Sequence, residues 1–218
     1  MNISVAIDGP AGAGKSTIAK ILSKKFNLMY INTGAMYRAV TLVAMSKDIS
    51  YKDVDNLLLA MESMEMHFEN DNLILNGRDV QSLLNTPLIS KNVSNYAQVP
   101  EVRSKLVKLQ REMGYQYNVI MDGRDIGTVV LKNATFKFFL TASPEERANR
   151  RFEELKNKGL DVIYNDVLND IIKRDYIDSN RETDPLRKAS DAIEVDTTGL
   201  DINGVVNKIS DYINNGLK

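Results

Sequence analysis

Residues 3–17 read ISVAIDGPAGAGKST, an apolar run that stops at Asp8 and gives way to Gly9, Pro10, Ala11, Gly12, Ala13, Gly14, Lys15, Ser16 and Thr17. The pattern G-x-x-x-x-G-K-[ST] over 9–16 is that of a phosphate-binding loop. Its surroundings agree: Ile3, Val5 and Ile7 alternate as in a strand, and Ile18, Ile21, Leu22 and Phe26 then share one helical face. The residue types follow from the chemistry. A polyphosphate is wrapped by backbone N–H groups, and glycine alone permits both the positive φ values and the close approach. The helix starting near Lys15 points its positive end at the same oxygens. Lys15 is placed to reach the β and γ oxygens of a nucleotide, and the Ser16 hydroxyl to ligate a bridging Mg²⁺.

A chain of 218 residues has room for one well-buried α/β core with an insertion or two. Its net charge of -1 gives no electrostatic case for a nucleic-acid polymer or a membrane surface. Cysteine is absent, which rules out a disulfide framework or a thiolate zinc site and fits a reducing cytoplasm. Asp8 interrupts the first apolar run too early for a secretion signal, and no stretch has the length of a membrane span.

Residues 28–31, LMYI, predict a second buried strand, followed by Asn32, Thr33 and the helix that carries Arg38. In an open α/β sheet, ligands collect beyond the carboxyl ends of the strands, where Thr33 and Arg38 would project. A solvated position for Arg38 is the alternative. Residues 64–80 break the βα rhythm with two turn signals, Asn70-Asp71 and Asn76-Gly77, and predict a small antiparallel insertion. His67, the only histidine, is expected to be a half-buried strand residue without a role. A second Gly-Arg-Asp at 77–79 lacks a preceding buried strand on this reading.

Pro100 opens a helix with Val102, Leu106, Leu109 and Met113 on one face and Arg103, Lys105, Lys108 and Arg111 in a row on the other. Residues 118–122, NVIMD, form a third predicted strand ending in Asp122, where a second magnesium contact is expected beside a phosphate loop. Gly123, Arg124 and Asp125 follow directly, and 136–140, FKFFL, is the fourth strand. Ser143-Pro144-Glu145-Glu146 reads as a capping box with Pro at the first helical position. Arg147, Arg150 and Arg151 then share a face, and Arg174, Asp178 and Arg181 lie on another. Guanidinium groups so crowded repel unless an anion lies between them, which predicts an arginine-bearing lid; pairing with neighbouring Glu and Asp is the competing account. Residues 192–195 are a fifth strand, followed by the polar loop 196–199 and a final amphipathic helix.

A phosphate loop does not by itself separate a motor, a switch and a kinase. The D-x-x-G and N-K-x-D pair of a GTPase switch is missing, since the D-x-x-G matches, Asp196 to Gly199 and Asp201 to Gly204, both fall near the C-terminus. The chain is short for a motor. Arginines at strand ends and in the predicted lid suit two anionic substrates brought together, and a phosphate acceptor with its second pKa about 6 needs no general base.

IDGPAGAGKST, NTGAMYRA, DGRDIGTVV and RDYIDSNRE, in this order and over essentially the whole chain, resemble bacterial cytidylate kinases. The resemblance implies transfer of the ATP γ-phosphoryl to CMP or dCMP with Mg²⁺. The fold it implies is that of the nucleoside monophosphate kinases: a five-stranded parallel sheet, an enlarged monophosphate-binding insert and a lid. By position it implies a core of 1–32, 98–146 and 182–218, an insert at 33–97 and a lid at 147–181. Loop residues 9–17 would hold the donor phosphates, with Ser16 and Asp122 on the metal. Thr33 stands where similar enzymes often have Ser, and keeps the hydroxyl. Arg38, Arg124 and Arg181 would grip the acceptor phosphate and Asp178 the sugar. Ser94, Arg103 and Asp125 would read cytosine, and Lys15, Arg147, Arg151 and Arg174 would stabilise the transferring group. A monomer acting on small molecules is expected. A kinase for another base, UMP or dTMP, and a non-enzymatic nucleotide-binding module are the rival readings.

Overall fold

The computed structural model describes residues 2–217. Strands β1 (Ser4–Asp8), β2 (Met29–Asn32), β6 (Val119–Gly123), β7 (Phe136–Thr141) and β8 (Ile193–Asp196) form a parallel sheet in the order β2-β6-β1-β7-β8. β1 is central, and Val5, Ala6 and Ile7 have no exposed surface. A parallel strand covered by helices on both faces is a continuous apolar run, which is why β1 and β6 carry their charged side chains, Asp8 and Asp122, only towards their carboxyl ends.

Helices α1 (Lys15–Phe26) and α9 (Ile202–Gly216) cover one face, where Ile18, Leu22, Val205 and Ile209 meet Val5, Ile7 and Phe138. On the other face Ala6, Ile31 and Met121 pack on Val107 of α6 (Pro100–Gln116) and on Ile126 and Val130 of a π-helical turn, Ile126–Val130. α6 is shared between units, because its Val102 and Leu106 enter a second apolar cluster with α2 (Thr33–Ser46), α3 (Val54–Glu62) and α5 (Pro87–Ala97).

That second cluster also receives the insertion. Strands β3 (Met66–Glu69), β4 (Asn72–Leu75) and β5 (Arg78–Asp79) form an antiparallel sheet, and the turns Asn70-Asp71 and Asn76-Gly77 have positive φ at both residues, as two-residue hairpins require. Met66 and Phe68 face the apolar cluster, so His67 lies on the opposite face. It is more exposed than expected, 53% at the side chain, and its Nε2 lies 2.9 Å from Glu69 Oε1. The second Gly-Arg-Asp does follow a buried strand, β4, contrary to expectation. Its Arg78 and Asp79 are nevertheless both exposed. A short helix, α4 (Gln81–Leu84), leads into α5.

After β7 come α7 (Pro144–Asn157) and α8 (Tyr164–Asn180), an antiparallel pair with a small core of its own made by Ala148, Leu155, Val167 and Ile171. The Ser143 hydroxyl caps α7 by accepting from Glu146 N. The capping box is only half made, because Glu146 turns to Arg150 instead. Among the described residues no helix is long and apolar enough to cross a membrane.

Candidate active site

β1 delivers the phosphate loop to the middle of the sheet's carboxyl edge. Gly9 lies where a Cβ would come within 2.2 Å of Leu140 O, and Gly14, with φ 84, opens α1 with no side chain capping its first N–H groups. Those N–H groups face a cleft of about 1100 Å³ lined by loop residues Ala11–Thr17. Gly9 and Pro10 do not line it.

Lys15 is buried, and its Nζ donates to Pro10 O at 2.6 Å. Burial, with Arg124 nearby, pushes its ammonium well below the usual lysine range. Beside it the Ser16 hydroxyl donates to Asp122 Oδ2 at 2.8 Å, and the Tyr30 hydroxyl to Asp122 Oδ1 at 2.7 Å. Thr33 Oγ1 donates to the Asp122 backbone oxygen at 2.7 Å. Two hard oxygen donors, Ser16 and Asp122, thus stand side by side below the loop. That suits Mg²⁺, which binds through one or two protein oxygens and completes its shell with phosphate and water.

The facing wall is cationic. Arg124 Nε lies 2.8 Å from Asp178 Oδ2, Ser94 Oγ donates to Asp178 Oδ1 at 3.2 Å, and Arg174 Nε lies 3.9 Å from the same carboxylate. Despite its burial, Arg124 and Arg174 hold the Asp178 carboxyl below the usual range. Among the described residues, Arg38 Nε and Arg174 Nε are buried without a hydrogen-bond partner. Burial lowers both guanidinium pKa values, Arg174 to about 10, and neighbouring arginines add to it. Such a cluster lacks negative charge, which an arriving phosphate supplies.

At the end of the cleft a guanidinium N–H of Arg103 donates to Asp125 Oδ2, and Arg181 Nη2 lies 3.3 Å from Asp125 Oδ1. Arg103, 1% exposed, does not belong to the solvated row of α6, because its side chain lies over the Tyr37 ring, 5.5 Å from the centroid. The Tyr37 hydroxyl is another buried group without a partner among the described residues.

The arginines expected in a lid divide. Arg151 and Arg174 line the cleft, whereas Arg147 lies behind the loop, donating to Ala11 O at 2.9 Å and Ala142 O at 3.0 Å and lying 2.6 Å from Asp175 Oδ2. Arg150 donates to the Thr197 hydroxyl and carbonyl, and Arg151 to Glu154. Each of these arginines on α7 therefore has an acidic or carbonyl partner in this conformation.

Sequence reasoning left Asp8 without a role. Its carboxylate accepts from Ile126 N and Gly127 N, both at 2.7 Å, and so ties the strand before the phosphate loop to the turn after Asp125. The halt of the apolar run at Asp8 was the only signal. Burial pushes this carboxyl up to about 7 against the pull of those N–H groups. A folded pKa above the unfolded one means that the native state binds more protons between about pH 4 and pH 7, so this group's contribution falls as pH rises through that window. In Asp8→Asn the fall is removed, changing the slope of stability against pH by at most about 1.4 kcal/mol per unit. Urea unfolding across this range measures it, and parallel slopes in the two proteins would exclude such a titration. Tyr30 and Tyr37 were likewise not singled out, since each lies in a stretch that reads as ordinary strand or helix.

A phosphate loop on the central strand, facing an arginine cluster across one cleft, defines an α/β P-loop kinase of the nucleoside monophosphate kinase fold. The same fold occurs in a shikimate kinase from Bacteroides thetaiotaomicron (TM-score 0.50, 12% identity, 97% of this chain and 98% of that one). A sugar kinase from Janibacter sp. HTCC2649 also shares it (TM-score 0.51, 11% identity, 98% and 95%). The family model described as cytidylate kinase matches residues 5–215, and the chain belongs to that family. It is 69% identical to a cytidylate kinase of Clostridium perfringens (strain SM101) over 97% of both chains. Identity is 62% with that of Clostridium acetobutylicum (strain ATCC 824) and 54% with that of Clostridium botulinum (strain Loch Maree), each over 98% of both chains.

Proposed function

We propose that the protein transfers the γ-phosphoryl group of ATP to CMP or dCMP, giving CDP or dCDP and ADP. The observation that carries this reading is the pairing, across one cleft, of a phosphate loop with an arginine cluster in which the Nε atoms of Arg38 and Arg174 are buried without a hydrogen-bond partner among the described residues. The donor phosphates lie in loop 9–17, with Lys15 on the β and γ oxygens. Ser16 and Asp122 would hold Mg²⁺, which would neutralise charge on the phosphate oxygens.

Arg38, Arg124 and Arg181 grip the acceptor phosphate, Thr33 borders it, and Asp178 takes the sugar hydroxyl. The acceptor is already anionic near neutral pH, so alignment and charge neutralisation replace a general base. Ser94, Arg103 and Asp125 read the base. A carboxylate accepts from the exocyclic amine of cytosine, whereas uracil presents a carbonyl oxygen at that point.

Residues 147–181 act as the lid and 33–97 as the monophosphate-binding part, on a core of 1–32, 98–146 and 182–218. Arg151 and Arg174 need little rearrangement to reach a transferring group. Arg147 must first leave Asp175. Closure excludes water and completes the charge-stabilising set.

The test is coupled-assay ADP formation from ATP and Mg²⁺ with CMP, dCMP, UMP, AMP, GMP and dTMP offered separately. Strong turnover with CMP and dCMP alone is expected. Preference for UMP or dTMP would remove the base-reading roles and leave the kinase, and inactivity with every acceptor would make the protein a nucleotide-binding module.

A further inference from the structure

Asp184 stands next to the base-reading pair. It follows α8 in an irregular segment and has a φ of 49, in the left-handed region. Its Oδ2 accepts from Arg103 Nε at 3.1 Å, while the Asp125 carboxylate accepts from Arg103 Nη2. Its backbone oxygen accepts from Arg181 Nε at 2.7 Å and also from Arg181 Nη2. One residue therefore holds both arginines that bracket Asp125, through its side chain on one and its main chain on the other.

The electrostatics point the same way. Two carboxylates, Asp125 and Asp184, balance two guanidinium groups, Arg103 and Arg181, in a place where Arg103 has almost no access to water. Without the Asp184 carboxylate the cluster carries an excess positive charge, and the Arg103 Nε edge has no acceptor. A guanidinium is a rigid planar fork. Turned to satisfy that edge, it would offer an N–H toward the base.

We propose that Asp184 is a positioning residue for base selectivity: it holds Arg103 and Arg181 on Asp125 so that this carboxylate keeps an accepting lone pair for the cytosine amine. Losing it favours an acceptor atom on the base, which is what uracil presents. The inference rests on the reading that Asp125 and Arg103 face the base.

The left-handed backbone supplies clean variants. Glycine and asparagine adopt φ near this value at low cost, so Asp184→Gly and Asp184→Asn both keep the turn and its carbonyl on Arg181. Steady-state kcat and KM for CMP and UMP are compared in these proteins, in the wild type and in Asp125→Asn. Asp184→Gly is expected to lower the CMP-to-UMP ratio of kcat/KM by about tenfold, mainly through KM for CMP. Asp184→Asn keeps an oxygen toward Arg103 and is expected to restore most of that ratio.

An unchanged ratio in Asp184→Gly, or an equal loss for both substrates, overturns the proposal when Asp125→Asn does shift the ratio. If Asp125→Asn leaves the ratio unchanged as well, the base-reading assignment itself is wrong and the role of Asp184 falls with it.

Discussion

Lys15→Ala lowers turnover by about three orders of magnitude while the variant binds CMP almost as the wild type does. Lys15 sits in the first turn of α1 and its Nζ is folded back on Pro10 O at 2.6 Å. A buried ammonium held to a carbonyl and flanked by Arg124 is poorly compensated, which is the cause of its depressed pKa. On the proposed function a donor phosphate would supply the missing anion, and the interaction would strengthen as charge moves onto the bridging oxygen. Lys15 Nζ bonds to Pro10 O and makes no direct hydrogen bond or ion pair with Asp125, Arg103 or Asp178, so the loss is expected to fall on kcat. Steady-state kinetics with calorimetric titration of CMP checks the division. Lost CMP affinity with turnover intact would assign Lys15 to the acceptor instead.

Asp125→Asn reduces the preference for CMP over UMP by about 10–100-fold, because an amide offers a donor where the carboxylate offered an acceptor. Asp125→Ala goes further and destabilises the fold by about 3–5 kcal/mol, as removing one partner of a buried ion pair does. The reason is Arg103, 1% exposed, and Arg181, 8% exposed, which would keep their charges with one counter-carboxylate fewer. Competition kinetics reads the first effect and urea unfolding the second. A CMP preference unchanged in both variants would take Asp125 off the base-reading list.

The phosphate loop, the strands and the helix starts were legible because each depends on local chemistry: glycines where φ is positive, β-branched runs that must be buried, Pro and Ser at helix beginnings. The strand read at 118–122, which forms at Val119–Gly123, and its Asp122 were found that way, and Ser16 does meet Asp122. Arg103 is the instructive contrast. Periodicity alone placed it in a basic row on α6, and only the family resemblance moved it to the base. What buries it is the Tyr37 ring from α2 and the carboxylates of Asp125 and Asp184, contributed by segments far apart in the chain.

Asp8, Asp184 and the partners of the lid arginines were beyond sequence reading for the same reason. An aspartate at the end of a strand has no local mark showing that Ile126 N and Gly127 N will reach it. Nor does a row of arginines show that Arg147 will pass beneath the loop to Ala11 O while Arg151 turns to Glu154. By itself the sequence determined the strands of the parallel sheet, the loop chemistry and the family, but not the helices at 54–62 and 87–97. Only the tertiary structure decided which charges face one another, because charge pairing depends on distances between segments that the fold, not the spacing along the chain, brings together.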